Sequence, residues 1–310
     1  MASDIQWCKI GSSGLLRFEG ADAQAFLQSQ LTNDVRALTR GRSQYSGYCT
    51  AKGRLLACVL LWQRDDAYFT MLPRELCEPV CKRLSMYILR AQVKATDVSA
   101  ELVLFVVVGA GAASWVATLA GAAPAAVHDV THGDGVSVLK LPVNRYLIVA
   151  SASGAATIEA TLARAATESP ESLWSQFDIE AGIPTVFTAT QEQFVPQTVN
   201  FDFIGAVSFD KGCYPGQEIV ARTHYLGKPK QRMVRALLLS SEAPTAGDKL
   251  YSDTFGGQAS GIIVSAVSTD ANRHNVLAVI QTRSIENPDV HWKSPDGPAL
   301  LIGALPYDVK

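Results

Sequence analysis

The chain has 310 residues, of which 48% are hydrophobic and 18% are charged, and its formal net charge is -2. This balance predicts a core-forming protein of more than one domain and excludes a general electrostatic grip on nucleic acid, which needs a basic face. The longest apolar run, residues 102–108, is too short to span a bilayer, and the first residues lack a signal-peptide pattern. We therefore expect a cytoplasmic protein without a membrane association.

The cysteines show neither the spacing of a metal-binding knuckle nor the density of a disulfide framework; they occupy positions 8, 49, 58, 77, 81 and 213. Cys77 and Cys81 are four residues apart and could share a helix face, but two thiolates alone do not make a zinc site. We expect reduced thiols and predict no metal site.

The first predicted elements are a strand over residues 15–18 and a helix that begins at Ala23, directly after Asp22, a favourable N-cap. The helix ends at the polar run Thr32-Asn33-Asp34, whose side chains compete for helical hydrogen bonds. For each of these polar residues, simple helix termination and contact with a ligand are equally open readings.

A β-hairpin is predicted next, with strands over residues 44–49 and 54–62 and Gly53 in the turn. A helix is then expected from Pro73 to about Leu89, because apolar residues recur at every fourth position, namely Leu76, Val80, Leu84 and Ile88. This stripe indicates a core-facing surface and not a cofactor site.

The middle of the chain alternates predicted strands and Ala-rich helices. A strand over residues 101–108 leads into the turn of residues 109–114, which half-matches a dinucleotide-binding fingerprint. Ser114 stands where the third glycine is needed, so we set nicotinamide binding aside. Paired strands are predicted over residues 136–141 and 145–150.

The last third of the chain changes in texture. A helix that begins after Pro170 is stopped by Gly182 and Pro184. From residue 231 onwards, short β-like runs alternate with turn residues, which predicts a small all-β domain, a barrel; the runs are residues 234–239, 249–252, 261–267 and 276–281.

Residues 207–222 hold the densest group of chemically active side chains, namely Lys211, Cys213, Gln217, Glu218 and Arg222. The small residues before Gln217 force a bend, and a helix is predicted to begin at Gln217. Cys213 then precedes a helix N-terminus and lies between two cations, where positive potential favours a thiolate. A lone cysteine would be interpreted as a buried hydrophobe, but this cluster favours a reactive thiol.

The run Lys211-Gly212-Cys213-Tyr214-Pro215-Gly216-Gln217-Glu218 resembles the K-G-C-[FY]-x-G-Q-E signature of the YgfZ-type folate-binding proteins. These proteins are relatives of the aminomethyltransferase, or T-protein, of the glycine cleavage system. Other stretches resemble segments of the same family, so the resemblance covers most of the chain; they are residues 26–35, 177–184, 194–202 and 225–230.

The resemblance implies an α+β, three-lobed, T-protein-like fold, in which two α+β lobes surround a central channel and a C-terminal β-barrel follows. The first lobe is expected to be discontinuous, comprising residues 1–45 and 136–230 and carrying the signature. The second lobe would comprise residues 46–135, and the barrel residues 231–310.

The resemblance also implies tetrahydrofolate, or a one-carbon derivative of it, as the cofactor. Glu180 is expected to bind the pteridine, and Arg222 and Lys228, helped by Lys230, the charged glutamate tail. We assign four further residues to the same binding site, namely Asn33, Tyr214, Gln217 and Glu218.

The chain departs from T-proteins in the hairpin. Those enzymes carry an acidic pair there, whereas the matching run in this chain has Ala57 and Cys58 at the two positions. Neither residue can act on an amine as a carboxylate does. Aminomethyl transfer is therefore disfavoured, although it is kept as the alternative, and whether the protein is an enzyme stays open.

The YgfZ-type family is implicated in folate-dependent assembly or repair of iron–sulfur clusters, with effects on tRNA-modifying enzymes such as radical-type methylthiotransferases. The resemblance therefore implies a folate-binding accessory protein whose partners are iron–sulfur proteins of this kind. We predict that Cys213 acts as a thiolate whose charge is held by Lys211 and Arg222. A third reading, a plain scaffold with a vestigial channel, is disfavoured by this clustering.

Overall fold

The computed structural model describes residues 5–227, 229–286 and 289–309. Its α-helices are α1 (Ala23–Gln30), α2 (Arg74–Ser85), α3 (Ala112–Ala120), α4 (Ala152–Ala165), α5 (Ser172–Glu180), α6 (Gln217–Leu226) and α7 (Arg283–Glu286). Within these residues no helix is long and apolar enough to cross a membrane.

The strands of the first half are β1 (Ile5–Ile10), β2 (Ser13–Glu19), β3 (Ser43–Cys49), β4 (Leu55–Arg64), β5 (Ala67–Pro73), β6 (Lys94–Asp97), β7 (Leu102–Gly109), β8 (Val130–Gly133), β9 (Val136–Leu141) and β10 (Arg145–Ser151). Those of the second half are β11 (Thr167–Glu168), β12 (Gln231–Leu239), β13 (Lys249–Tyr251), β14 (Ala259–Asp270), β15 (Arg273–Gln281), β16 (His291–Trp292) and β17 (Leu300–Gly303). This mixture of helices with mainly antiparallel strands confirms the α+β class.

The chain divides into two compact units. Unit 1 comprises Met1–Ser29, Asp34–Tyr45 and Val59–Trp174, and unit 2 comprises Gln30–Asn33, Ser46–Cys58 and Ser175–Lys310. The sequence-based division into two lobes and a barrel differs in kind from this division into two units, and its boundaries stay a prediction.

Unit 1 is built on a six-stranded sheet with the strand order β11-β1-β7-β10-β9-β8. Strand β7 lies in its centre because its apolar run can be buried on both faces. Trp7, Phe105 and Ile148 pack in one core with Val116 of α3 and Leu162 of α4. A five-stranded sheet has the order β3-β4-β5-β2-β6 and includes the predicted hairpin, whose residues 46–58 are counted with unit 2.

Unit 2 contains a curled six-stranded sheet with the order β16-β13-β14-β15-β12-β17. A β-bridge between His291 and Ala299 joins edge strand β16 to the residue before edge strand β17. Val276 and Ile263 lie in the core of this sheet with Trp292. The predicted C-terminal β region is therefore confirmed as a barrel-like sheet, and it also carries the short helix α7.

Two features of unit 1 differ from the sequence-based expectation. Strand β1 was not expected, because its apolar residues Ile5, Trp7, Cys8 and Ile10 do not strictly alternate. Helix α2 ends at Ser85 and not near Leu89. Leu84 is the last buried residue of its stripe, and beyond it the chain turns back towards β6.

Candidate functional site

The signature loop, residues 211–216, lies in unit 2 and leads into α6. The helix begins at Gln217, the position that the sequence predicts. Cys213 is exposed, in contrast to Cys49 in the same unit. A thiol at this point can reach a ligand or partner and lies ahead of the positive end of a helix.

Gly216 fixes how this loop packs. Its φ is +85°, in the left-handed region that favours glycine, and a Cβ atom there would lie 2.5 Å from backbone atoms of Gly53 and Thr50. Gly212 has open space around its Cα. Backbone therefore packs directly on backbone where the signature loop meets the hairpin turn.

Lys211 anchors the signature loop through hydrogen bonds of its side chain. Its side chain is buried, and its Nζ donates hydrogen bonds to the carbonyl oxygens of Leu31 at 2.6 Å and Asn33 at 2.9 Å. The same Nζ lies 5.2 Å from the centroid of the Tyr214 ring. A buried ammonium needs such acceptors, so Lys211 ties the signature loop to the segment after α1.

Three residues that were assigned to the folate site belong to the same network. Asn33 Nδ2 donates to the carbonyl of Gly205 at 2.7 Å, and Gln217 Nε2 donates to that of Lys211 at 3.2 Å. Burial raises the pKa of Tyr214, so its phenol is neutral at physiological pH. These contacts order the loop, and direct ligand contact by the three residues stays a prediction.

The other assigned residues that the structure describes lie in three places. Arg222 lines an open cleft of about 600 Å³, and Glu218 is exposed in the first turn of α6. Glu180 ends α5 and accepts a hydrogen bond from Gln176 Nε2 at 2.9 Å. Lys228 lies outside the described residues. The network around Lys211 and the cleft are thus distinct parts of unit 2.

The cleft combines cations with an apolar wall. Lys230 lies in it with Arg222. That these two cations bind the glutamate tail stays a prediction. The remaining lining residues are Val195, Thr198, Ile219, Thr223, Gly227, Pro229, Gln231 and Gln281. Gln281 comes from β15, and nothing local in the sequence could have indicated its place there.

Sequence reasoning missed a nearly buried ion pair in unit 2. Arg232 makes two hydrogen bonds of 2.9 Å to the Asp202 carboxylate and donates to the carbonyl of Gln197 at 2.6 Å. Its guanidinium carbon lies 4.7 Å from the centroid of the Phe203 ring. The pair holds the 196–203 segment against β12, and no fixed spacing could have identified the two partners.

The hairpin positions where T-proteins have acids cannot supply acid–base catalysis. Ala57 is fully buried, and burial raises the pKa of the Cys58 thiol, so that thiol is neutral near pH 7. Among the described residues, no group of three His, Cys, Asp or Glu side chains could hold a metal ion.

Known proteins resemble the chain in both sequence and fold. Residues 5–135 match the family model described as the GCVT N-terminal domain. The chain is 30% identical over 303 residues to the tRNA-modifying protein YgfZ of Klebsiella pneumoniae (strain 342), covering 96% of this chain and 91% of that protein. The protein of the same name from Sodalis glossinidius (strain morsitans) is 29% identical over 302 residues, covering 95% and 90% of the two chains.

A solved structure shows the same fold. The glycine cleavage system aminomethyltransferase T from Bartonella henselae matches with a TM-score of 0.78 over 98% of this chain and 86% of that one. The sequence identity is 16%, so this match shows the fold alone. The expected T-protein-like fold is confirmed.

Proposed function

Since the chain belongs to the YgfZ family, we propose that it binds tetrahydrofolate or a one-carbon derivative and supports iron–sulfur enzymes that modify tRNA. In this proposal the thiol of Cys213 is the group through which the protein supports those enzymes. The observation that carries this proposal is the exposed thiol of Cys213 on a loop whose backbone is fixed on both sides.

The fixed backbone of the signature loop supports the proposal that Cys213 is a reactive thiol. Lys211 holds the loop through two carbonyl oxygens, and the backbone of Gly216 packs against the hairpin turn. A reactive group needs a positioned backbone around it and access to its target. The iron–sulfur cluster is cargo in this proposal and not a resident group, because one cysteine cannot hold a cluster.

The cleft fits part of a folate. Its volume of about 600 Å³ lies in the range of small-molecule sites. Arg222 and Lys230 supply the cations that a glutamate tail requires, and Val195, Ile219 and Pro229 supply apolar surface for the adjoining ring. A bound folate would contribute a one-carbon carrier, while the residues of the chain bind and orient it. Glu180 is our candidate for the pteridine.

The role of Cys213 is tested by complementation. Cells that lack the protein receive the wild type, Cys213→Ala or Cys81→Ala, and the activity of an iron–sulfur tRNA methylthiotransferase is measured. Cys81 is a partly buried thiol, and its alanine variant controls for loss of a cysteine as such. We expect rescue by the wild type and by Cys81→Ala only. Full rescue by Cys213→Ala would remove the mechanism.

Folate binding is tested by calorimetric titration with tetrahydrofolate. Arg222→Ser and Lys230→Ser should each weaken binding, whereas Lys249→Ser, at an exposed lysine of β13, should leave it unchanged. A wild type that does not bind would refute the ligand assignment. Binding that none of the variants changes would move the site away from the cleft.

The T-protein fold favours aminomethyl transfer as a second candidate function. Incubation with tetrahydrofolate and an aminomethyl donor, followed by measurement of released ammonia, distinguishes the two. We expect no turnover, because Ala57 and Cys58 offer no acid or base near neutral pH. Turnover that persists in Cys213→Ala would establish the alternative.

A further inference from the structure

A second surface lies in unit 1, on the 82–94 segment, which comprises the last turn of α2, the connection to β6 and the first residue of β6. Three large apolar side chains are exposed within four positions: Met86 is 62% exposed, Tyr87 49% and Leu89 88%. Single exposed apolar residues are ordinary in proteins, whereas a cluster marks an interaction site. Methionine and tyrosine are also enriched where proteins bind proteins.

The backbone conformation of Leu89 destabilises the isolated chain. Its φ is +43°, in the left-handed region, where an L-residue with a large side chain is disfavoured by about 1 kcal/mol or more. Its exposed side chain gains no burial to offset this strain. Glycine or asparagine would suit the backbone better. A partner that binds Leu89 would supply the burial that the isolated chain does not.

The 82–94 segment is held in place at both ends. At its start Leu84, in the last turn of α2, is buried, and the backbone N–H of Tyr87 donates to the Leu84 carbonyl at 2.9 Å. At the far end, the backbone N–H of Gln92 donates to an Asp22 carboxylate oxygen at 2.7 Å. Leu89 therefore projects from a fixed turn, as a side chain that enters a shaped pocket would.

The charge of the segment limits its partner. It carries four cations, Lys82, Arg83, Arg90 and Lys94, and no acidic residue lies between Glu78 and Asp97. None of the four makes an ion pair within the described part of the chain.

Two carboxylates of neighbouring elements border the segment: Asp22 accepts from the Gln92 N–H, and Glu19 stands opposite Lys94 but is paired with Arg17. The four cations outnumber these carboxylates, so the surface is locally basic and favours an acidic partner.

Other occupants fit less well. A second copy of the chain, packed by two-fold symmetry, would bring like charges together. A fluid lipid surface gains nothing from a strained, fixed turn. RNA would match the cations but leave Met86 and Leu89 without an apolar partner.

We propose that the 82–94 segment docks a partner protein that has an apolar pocket for Leu89, bordered by aspartate and glutamate side chains. The proposal uses none of the residues assigned to the thiol or to the folate. The two functions can therefore fail independently.

The first test measures the thermal stability of two variants, so that their binding can then be compared. Leu89→Asn should raise Tm slightly, because asparagine tolerates the left-handed backbone. Val143→Asn is the matched control, since Val143 has φ +63° and is 40% exposed in another turn. Both variants should be at least as stable as the wild type, so that any loss of binding by Leu89→Asn cannot be attributed to misfolding.

The second test identifies the partner. A benzophenone amino acid replaces residue 89 of the full chain in living cells, with position 143 as control, and cross-linked products are identified by mass spectrometry. The captured protein is then purified and titrated. We expect the captured protein to bind Leu89→Asn about tenfold more weakly than the wild type and to bind Val143→Asn with unchanged affinity. Affinity should fall with salt, less steeply for the double variant Arg83→Ser with Arg90→Ser.

Several results would overturn the proposal. They are the absence of a cross-link specific to position 89, a cross-link to a second copy, lipid or RNA, and equal affinity of the purified partner for wild type and Leu89→Asn.

Discussion

At the scale of single residues, unit 2 depends on a charge pair that is almost fully withdrawn from water. The side chains of Arg232 and Asp202 are 11% and 14% exposed, and they meet through two parallel hydrogen bonds. The net contribution of such a pair to stability is small, but removing one partner leaves a buried charge uncompensated.

We expect Asp202→Asn to lower the free energy of unfolding by about 3 kcal/mol or more. The control is Glu159→Gln, which breaks the exposed pair with Lys9 in unit 1 and should cost less than about 1 kcal/mol. Urea denaturation of both variants measures the difference. Equal effects would show that burial of the Arg232 pair is energetically unimportant.

His128 in unit 1 makes stability depend on pH. Burial, and secondarily the charge of Arg42, lowers its pKa from 6.5 to about 4. As the pH falls, the unfolded chain takes up the proton first. The neutral buried ring therefore contributes fully above about pH 6.5, and its contribution is lost as the pH falls towards about 4.

Between these limits the loss attributable to His128 should reach about 3 kcal/mol. His128→Asn suits the residue's φ of +70° and removes the titrating group. Urea denaturation near pH 7 and near pH 4.5 should show a shallower decline for the variant than for the wild type. Parallel declines would mean that His128 is not the group responsible.

At the scale of elements, the junction between the hairpin and α6 determines where Cys213 lies. Gly216 and Gly53 both have positive φ and approach so closely that neither tolerates a side chain easily. The signature glycine is therefore a packing requirement between two elements that are far apart in sequence.

Gly216→Ala should lower the free energy of unfolding by about 2 kcal/mol or more, through strain at φ +85° and contact with the Gly53 backbone. Gly212→Ala, in the same loop with open space around it, should change it by less than about 0.5 kcal/mol. Thermal unfolding of the two variants tests this contrast. Comparable losses would place the constraint elsewhere in the loop.

At the scale of the molecule, unit 2 is assembled from pieces that are distant in the chain. Tyr307, near its end, donates its hydroxyl to the carbonyl of Gly182 at 2.8 Å, and its ring stacks on Phe203 at 6.3 Å between centroids. Burial raises the pKa of Tyr307 to about 12, so the donating hydroxyl stays protonated. The C-terminal residues thus secure the segment that follows α5.

Tyr307→Phe keeps the stacked ring and should cost about 1 kcal/mol, the value of one hydrogen bond. Tyr307→Ala also removes the ring and should cost about 2–3 kcal/mol. Chemical denaturation gives both values. If the two variants were equally destabilised, the ring contact with Phe203 would contribute nothing.

The sequence alone determined what depends on neighbouring residues. Turn chemistry at Gly53 and Gly216 predicted the hairpin and the start of α6, and the change of texture at residue 231 predicted the barrel-like sheet. The position of Cys213 directly ahead of α6 followed from the same local pattern, since small turn residues and a helix start are adjacent in the chain.

Only the tertiary structure decided which distant groups meet. Lys211 donates to the carbonyl oxygens of Leu31 and Asn33. Every residue has such a carbonyl, so the sequence does not indicate which ones accept a hydrogen bond. Arg232 and Asp202 are 30 residues apart without a repeating pattern. The early end of α2, which exposes Leu89, also escaped prediction, because hydrophobic periodicity continues to Ile88 while burial of the helix stripe ends at Leu84.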